Sequence, residues 1–225
     1  MKKIVEEEER CARCGKPLWA CVCDRVHPLA AKTRVLILQH PKEDDVVLGT
    51  ARIVTTAIGS AKIVVGLSWA SLEAVLEGEV VDRNRWSTVY AHKVPDAAKP
   101  GTVIIAPSAP PAVIMDRHGE LTNGRPKGIV LLDGTWSQAK TLWWRNPWLL
   151  KLGRIALRPE RPSIYGKLRR EPRREHVSTL EAVGGALTAL GEDPAIELEL
   201  GKLMRTMMQR ARDHGYDGRK VTRPR

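Results

Sequence analysis

Gly128-Ile129-Val130-Leu131-Leu132-Asp133-Gly134-Thr135-Trp136-Ser137-Gln138 is the stretch whose reading decides the fold class. Its apolar residues run without alternation, as in a strand buried on both faces. Asp133 and Gly134 then stop the run, and Thr135 with Gln138 three places on makes a capping box that opens a helix. A buried strand feeding a capped helix is the repeating step of a parallel α/β sheet.

The same step recurs on either side. Strands are predicted at 34–39, 62–67, 102–106, 128–132 and 154–157, and helices over 46–58, 71–76, 135–145, 179–190 and 195–213. A second capping box opens at Ser178, with Glu181 at its third position. These elements predict an α/β fold, a parallel sheet with helices on both faces. The 225 residues suit one large domain with a small appendage. The division expected is an N-terminal knuckle over 1–30, an α/β domain over 31–215 and a basic tail over 216–225.

All four cysteines lie near the N-terminus, Cys11, Cys14, Cys21 and Cys23, in the order C-x2-C-x6-C-x-C. Four clustered thiols suit a closed tetrahedral zinc site. A dithiol redox pair or two small disulfides is the other reading. A full set of four protein ligands leaves no open position, so the zinc is expected to be structural. No apolar run reaches the length of a spanning helix, and the first ten residues, rich in Lys and Glu, lack the apolar stretch of a secretory signal. The expectation is a cytoplasmic protein with no membrane association and no evident obligate protein partner.

Lys and Arg exceed Asp and Glu by 37 to 26, a net charge of +11, which points to a polyanionic partner, nucleic acid first. Part of the excess falls between Arg154 and Arg174, where Arg154, Arg158, Arg161, Lys167, Arg169, Arg170, Arg173 and Arg174 surround Tyr165. Such a run can be a solvated face. Coinciding with the whole-chain excess, it is read here as a phosphate-contact surface.

Ligands of open parallel sheets bind beyond the carboxyl ends of the strands. Those ends carry Gln39-His40-Pro41-Lys42-Glu43, Ala106-Pro107-Ser108-Ala109 and Asp133-Gly134-Thr135-Trp136. Asp133, part-buried after four apolar residues, suits a general base near neutrality and equally a second helix cap. Gly134 permits close approach of a ligand. The two capped helix starts are read equally as helix stabilisation and as anion sites. His40 reads first as a turn residue and second as an acid–base group. The chain has seven Trp and no Phe. Trp136 and Trp143 are predicted to pack on one core-facing stripe, with base stacking a further reading for Trp136 alone. No P-loop and no G-x-G-x-x-G fingerprint is present.

The order of motifs is a Cys knuckle, Leu38-Gln39-His40-Pro41-x-Glu43, Thr50-x-Arg52, Asp133-Gly134-Thr135-Trp136, Ser163-x-Tyr165 and Ser178-Thr179-Leu180-Glu181-Ala182. In this order the chain resembles the DTW-domain family, the tRNA-uridine aminocarboxypropyltransferases, from about Cys11 to Leu190. The resemblance implies a SPOUT-like, knotted fold and an enzyme that moves the 3-amino-3-carboxypropyl arm of S-adenosylmethionine to N3 of a uridine in tRNA. Methylthioadenosine would be released and acp3U formed. It further implies Asp133 at the chemistry, and Pro107, Ser108, Asp133, Gly134, Thr135, Trp136, Ser178, Thr179 and Ala182 around the cosubstrate. Arg52, Arg158, Arg161, Tyr165, Lys167, Arg169, Arg170, Arg173 and Arg174 are the expected RNA contacts. The rival readings are an RNA methyltransferase with the same cosubstrate and a non-catalytic zinc-knuckle RNA-binding protein.

Overall fold

Apolar residues on both sides of a strand demand cover on both sides of the sheet, and the chain supplies it. The computed structural model describes residues 9–43, 46–91, 103–105, 114–115, 121–122, 125–157, 162–166, 168–169 and 177–217. The strands are β1 (Arg34–Gln39), β2 (Ala61–Val65), β3 (Trp86–Ala91), β4 (Val103–Ile105), β5 (Ile114–Met115), β6 (Leu121–Thr122), β7 (Gly128–Asp133) and β8 (Gly153–Leu157). The helices are α1 (Ala51–Ala57), α2 (Leu72–Val75), α3 (Trp136–Arg145), α4 (Thr179–Ala189) and α5 (Pro194–Asp213).

The sheet runs β2-β1-β7-β3-β8, with every one of these pairings parallel and β4 parallel to β8. Among the described strands only the short β5 and β6 are antiparallel, at the β8 edge. The expected parallel α/β sheet is therefore correct for its centre and mixed at one margin. Alternate residues of β1 enter different cores: Val35 and Ile37 join α1, α4 and α5, whereas Leu36 and Leu38 join α2 and the turn at Pro147–Lys151. Each such buried side chain is worth roughly 1.5–3 kcal/mol, which is why β1 and β7 anchor the layer.

Two departures from the sequence reading have physical causes. β3 is absent from the predicted strands, because its buried centre carries Ser87 and Thr88 instead of an apolar run. It lies between β7 and β8, a central place that the predicted strand at 102–106 does not take. The helix predicted over 46–58 begins only at Ala51. Val46 and Gly49 are bonded as a turn, and Val47 and Leu48 are buried from that turn, which imitates helical spacing.

The N-terminal knuckle is fastened to the far end of α5. Arg210 grips both oxygens of Asp24 at 2.9 and 2.7 Å and also donates to the Cys21 carbonyl. That guanidinium holds the Asp24 carboxyl below the usual carboxylate range. Trp19 stacks on His214 with ring centroids 4.3 Å apart, and Ala20 and Val22 enter the α1/α4/α5 core. No helix among the described residues is long and apolar enough to cross a membrane.

Candidate active site

Gly15 makes the knuckle possible. Its φ of +67° is in the left-handed region, and its N–H donates to the Cys11 carbonyl at 2.8 Å. The turn brings the ligand atoms of Cys11, Cys14, Cys21 and Cys23 within 4.8 Å of one another, so the cluster could hold a metal ion. Sγ of Cys11 and Cys23 are 3.8 Å apart, and those of Cys14 and Cys21 are 3.7 Å apart. Disulfide sulfurs would be about 2.05 Å apart, so the disulfide reading does not hold in this structure. A tetrahedron with metal–sulfur bonds of about 2.3 Å has edges of about 3.8 Å, which these separations match. The Cys11 thiol is lowered to about 6, chiefly by the Cys14 backbone N–H, while burial pushes Cys21 up to about 11.

Asp133 closes β7 directly opposite Gln39, the last residue of β1. The chain leaves β1 towards β2 on one side and later builds β3 on the other side of β7, so this is where the strand order reverses. Asp133 is 6% exposed. Gln39 Nε2 donates to its Oδ2 at 2.7 Å, and the Thr179 hydroxyl donates to its other oxygen. Two donors fix the carboxylate plane and leave each oxygen a further lone pair for an incoming donor. Gly134 is required next to it: a Cβ there would lie 2.8 Å from Gln138 Cβ and 3.4 Å from His40 Cβ. The capping box that starts α3 is complete, with Thr135 N–H donating to Gln138 Oε1 at 2.5 Å.

The structure thus brings Asp133, Gly134, Thr135, Trp136 and Thr179 together beyond the carboxyl end of β7, the place where open sheets form their ligand crevice. Ser178 and Ala182 behave differently. Ser178 is buried, its Oγ accepts from Glu181 N–H at 3.1 Å, and Ala182 packs on the α1/α4/α5 core. The N–H of Leu180 donates to Thr50 Oγ1 at 3.2 Å. The α4 N-terminus therefore spends these N–H groups on the protein itself, which favours the stabilising reading of its capping box. His40 fits the turn reading: its Nδ1 accepts from Lys42 N–H at 3.2 Å.

Tyr165 and Arg169 do not form the open RNA-facing surface expected of them. Tyr165 is 3% exposed and its hydroxyl donates to the Leu48 carbonyl at 2.8 Å, so it is a core residue. Arg169 lies over the Tyr165 ring and reaches the buried Glu43 carboxylate at 3.1 Å. Glu181 ties this loop to α4 through Ser163 Oγ at 2.7 Å and Ile164 N–H at 2.8 Å. Arg169→Ala would strand the Glu43 charge, and we expect a stability loss of about 1–3 kcal/mol in urea unfolding. An unchanged midpoint would show that solvent reaches Glu43 and that the pair contributes nothing. Arg52 is half-buried under the knuckle, 3.4 Å from where a Gly15 Cβ would stand. Pro107, Ser108, Arg158, Arg161, Lys167, Arg170, Arg173, Arg174 and the tail from residue 218 lie outside the described residues.

Three features escape the sequence reading. Lys16, from the knuckle, is only 5% exposed. Burial pushes its ammonium down to about 8, Cys14 and Asp133 oppose that fall, and Arg52 and Arg10 add to it. Gln39 reads in sequence only as a strand end, yet it orients Asp133. Trp144 is 71% exposed and Trp136 is 51% exposed, whereas Trp143 packs on the second core as expected. Trp136, Lys140 and Trp144 follow at i, i+4 and i+8, so one exposed stripe of α3 carries them, a spacing that is legible in the sequence.

Comparison with known proteins gives one consistent answer. The chain is 29% identical over 208 residues to tRNA-uridine aminocarboxypropyltransferase 2 of Macaca fascicularis, covering 91% of this chain and 64% of that protein. The chain thus spans less than two thirds of the length of that relative. The Drosophila melanogaster protein of the same name is 27% identical over 92% of this chain and 76% of its own length. Arabidopsis thaliana tRNA-uridine aminocarboxypropyltransferase A is 27% identical over 88% of this chain and 79% of its own. No solved structure matches. The sequence pattern of the DTW domain matches residues 8–212, from just before the knuckle to the end of α5, and the chain therefore belongs to the DTW-domain family.

Proposed function

We propose that this protein is a tRNA-uridine aminocarboxypropyltransferase that uses S-adenosylmethionine and forms acp3U. The observation that carries the reading is Asp133, held by Gln39 and Thr179 at the reversal point of the sheet beside Gly134, in a chain whose relatives bear that name. The residues around Asp133 fit the cosubstrate: a carboxylate fixed by two donors, and a Gln39 Oε1 without a partner among the described residues. Bound there, S-adenosylmethionine supplies a sulfonium-activated carbon with a good leaving group.

Asp133 then has one task. Its carboxylate takes the proton from uracil N3 as the N3–C bond forms and the C–S bond breaks. The electron pair of the broken bond leaves on the sulfur of methylthioadenosine. The other residues bind and orient, which is the main requirement when the electrophile is already activated. The four-cysteine cluster holds a structural zinc, supported by the sulfur separations, and four thiols kept for a metal suit a reducing cytoplasm. The knotted SPOUT-type path belongs to the same reading, supported by β7 standing between the earlier strands β1 and β3.

The tRNA is met by the net charge of +11 and by the Trp136–Lys140–Trp144 stripe beside the crevice. Aromatic faces flanked by cations suit unpaired bases, with about 1–3 kcal/mol for each stacked base. Trp144→Ala is expected to weaken tRNA binding by about that amount in filter binding and to leave cosubstrate affinity unchanged. Full tRNA affinity in the variant would reduce the stripe to plain surface. The released small molecule tests the function. Methylthioadenosine is expected, whereas S-adenosylhomocysteine would make the protein a methyltransferase.

A further inference from the structure

α4 and α5 cross the sheet in opposite directions, and their register fixes where α5 ends. Glu192, just after α4, accepts from Thr33 N–H at 2.8 Å, one residue before β1 begins. α4 therefore runs from the carboxyl ends of the strands, where Thr179 bonds Asp133, to their amino ends. α5 returns alongside it. A Cβ on Gly184 would stand 3.1 Å from Glu197 Cγ, and Met204 Sδ lies 3.1 Å from Ser178 Oγ. Residues 205–213 of α5 thus continue past the start of α4, about 13 Å of helix at 1.5 Å per residue. They stand at the same end of the sheet as Asp133.

The knuckle docks on that overshoot, and guanidinium groups converge where it does. Arg210 takes both oxygens of Asp24. Arg25 Nε lies 3.5 Å from the same carboxylate, and Arg13 Nη1 lies 3.5 Å from the carbonyl of Cys23. Three guanidiniums thus gather around Cys23 and Asp24 with one carboxylate among them, and Arg210 already holds that carboxylate with two bonds. The Arg25 side chain is 70% exposed. Arg13 is exposed too and makes no ion pair among the described residues. A basic residue in the last turn of a helix favours its dipole, which accounts for Arg210. It does not account for Arg13 and Arg25, which belong to the knuckle. Positive groups gathered this closely repel one another until an anion joins them.

We propose that Arg13 and Arg25, set in place by Arg210, form a clamp for the sugar–phosphate backbone of tRNA at one shoulder of the site. The proposal rests on the reading that tRNA is the substrate. Guanidinium forks match phosphate oxygens in geometry as well as charge. Arg210 keeps its hold on Asp24, while Arg13 and Arg25 meet the phosphates. The clamp and Asp133 stand at one end of the sheet, so RNA held by it lies across the end at which α3 starts with Trp136. Phosphate contacts fix position without reading sequence, so the clamp orients the RNA and leaves the choice of uridine to the site.

Filter binding of unmodified tRNA across a salt series, on zinc-loaded protein, tests this. The double variant R13Q/R25Q is expected to weaken binding on the order of tenfold and to flatten the slope of log affinity against log salt by about 1.4–1.8, at about 0.7–0.9 for each lost contact. R13K/R25K keeps both charges and is expected to keep the slope. Zinc content, S-adenosylmethionine affinity and the single-turnover rate at saturating tRNA should stay within about twofold in both variants. In the wild-type protein, bound tRNA should shield Arg13 and Arg25 from modification by phenylglyoxal, read by mass. An unchanged slope in R13Q/R25Q, an equal loss in R13K/R25K, or full modification of both arginines under saturating tRNA would overturn the clamp. So would a lower rate at saturating tRNA with tRNA affinity intact. Wild-type protein that binds no tRNA would overturn the substrate reading and the clamp with it.

Discussion

Asp133→Asn is expected to slow single-turnover transfer by roughly two to four orders of magnitude and to leave S-adenosylmethionine affinity within a few-fold. Asn has the same shape. Its carbonyl can still accept from Gln39 Nε2, and its NH₂ can donate to Thr179 once that hydroxyl rotates. What the substitution removes is the ability to take a proton. A positioned base contributes about 10²–10⁴ in rate, so the loss should appear in chemistry and not in binding. If the variant transfers at close to the native rate, Asp133 is a packing residue for α3 and α4. Glu43 is then a poor substitute, since Arg169 already occupies it. His40, beside Gly134, would be the next group to replace.

The second large effect concerns the knuckle. Removing the metal, or replacing Cys14 with Ser, is expected to lower Tm by on the order of 10 °C or more and to abolish S-adenosylmethionine binding. Structural zinc supplies about 10–16 kcal/mol of apparent binding free energy to small metal domains, comparable to the whole stability of an ordinary domain. Cys14 is fully buried, and the segment it closes places Ala20 and Val22 in the main core and Lys16 within electrostatic reach of Asp133. Losing the metal should therefore loosen the contact with α5 and the site together. Because the ligands bind as thiolates, protons compete with the metal, and zinc should be released as the pH falls. Metal analysis, thermal unfolding and calorimetry on the same sample check the three parts. A chelated protein with unchanged Tm and affinity would show that Arg210–Asp24 and Trp19–His214 hold the knuckle without a metal.

Most of the layer is legible in the sequence because its main strands are apolar on both faces. β1 and β7 announce themselves as unbroken runs of Val, Ile and Leu, β8 rests on the shorter Ile155-Ala156-Leu157, and Thr135–Gln138 and Ser178–Glu181 mark helix starts within a residue. β3 is not legible, since buried Ser87 and Thr88 look like loop residues until the neighbouring strands are known. Asp133-Gly134-Thr135-Trp136 is legible as a candidate site because it stands at the carboxyl end of a central strand, while the same residues serve equally to cap a helix. Tyr165 misleads: it sits among arginines in sequence, but its hydroxyl bonds a carbonyl in the core. Lys16 cannot be found in advance. A lysine two residues after a cysteine looks like surface, and only the docking of the knuckle shows that it is buried.

The central claim is that the arm, and not the methyl group, goes to a tRNA uridine. The most direct measurement uses unmodified tRNA with two samples of S-adenosylmethionine, one labelled in the carboxyl carbon and one in the methyl group, followed by digestion to nucleosides and mass analysis. The account expects the carboxyl label in a modified uridine and the methyl label only in released methylthioadenosine. Methyl label in the tRNA, or neither label there, would contradict it.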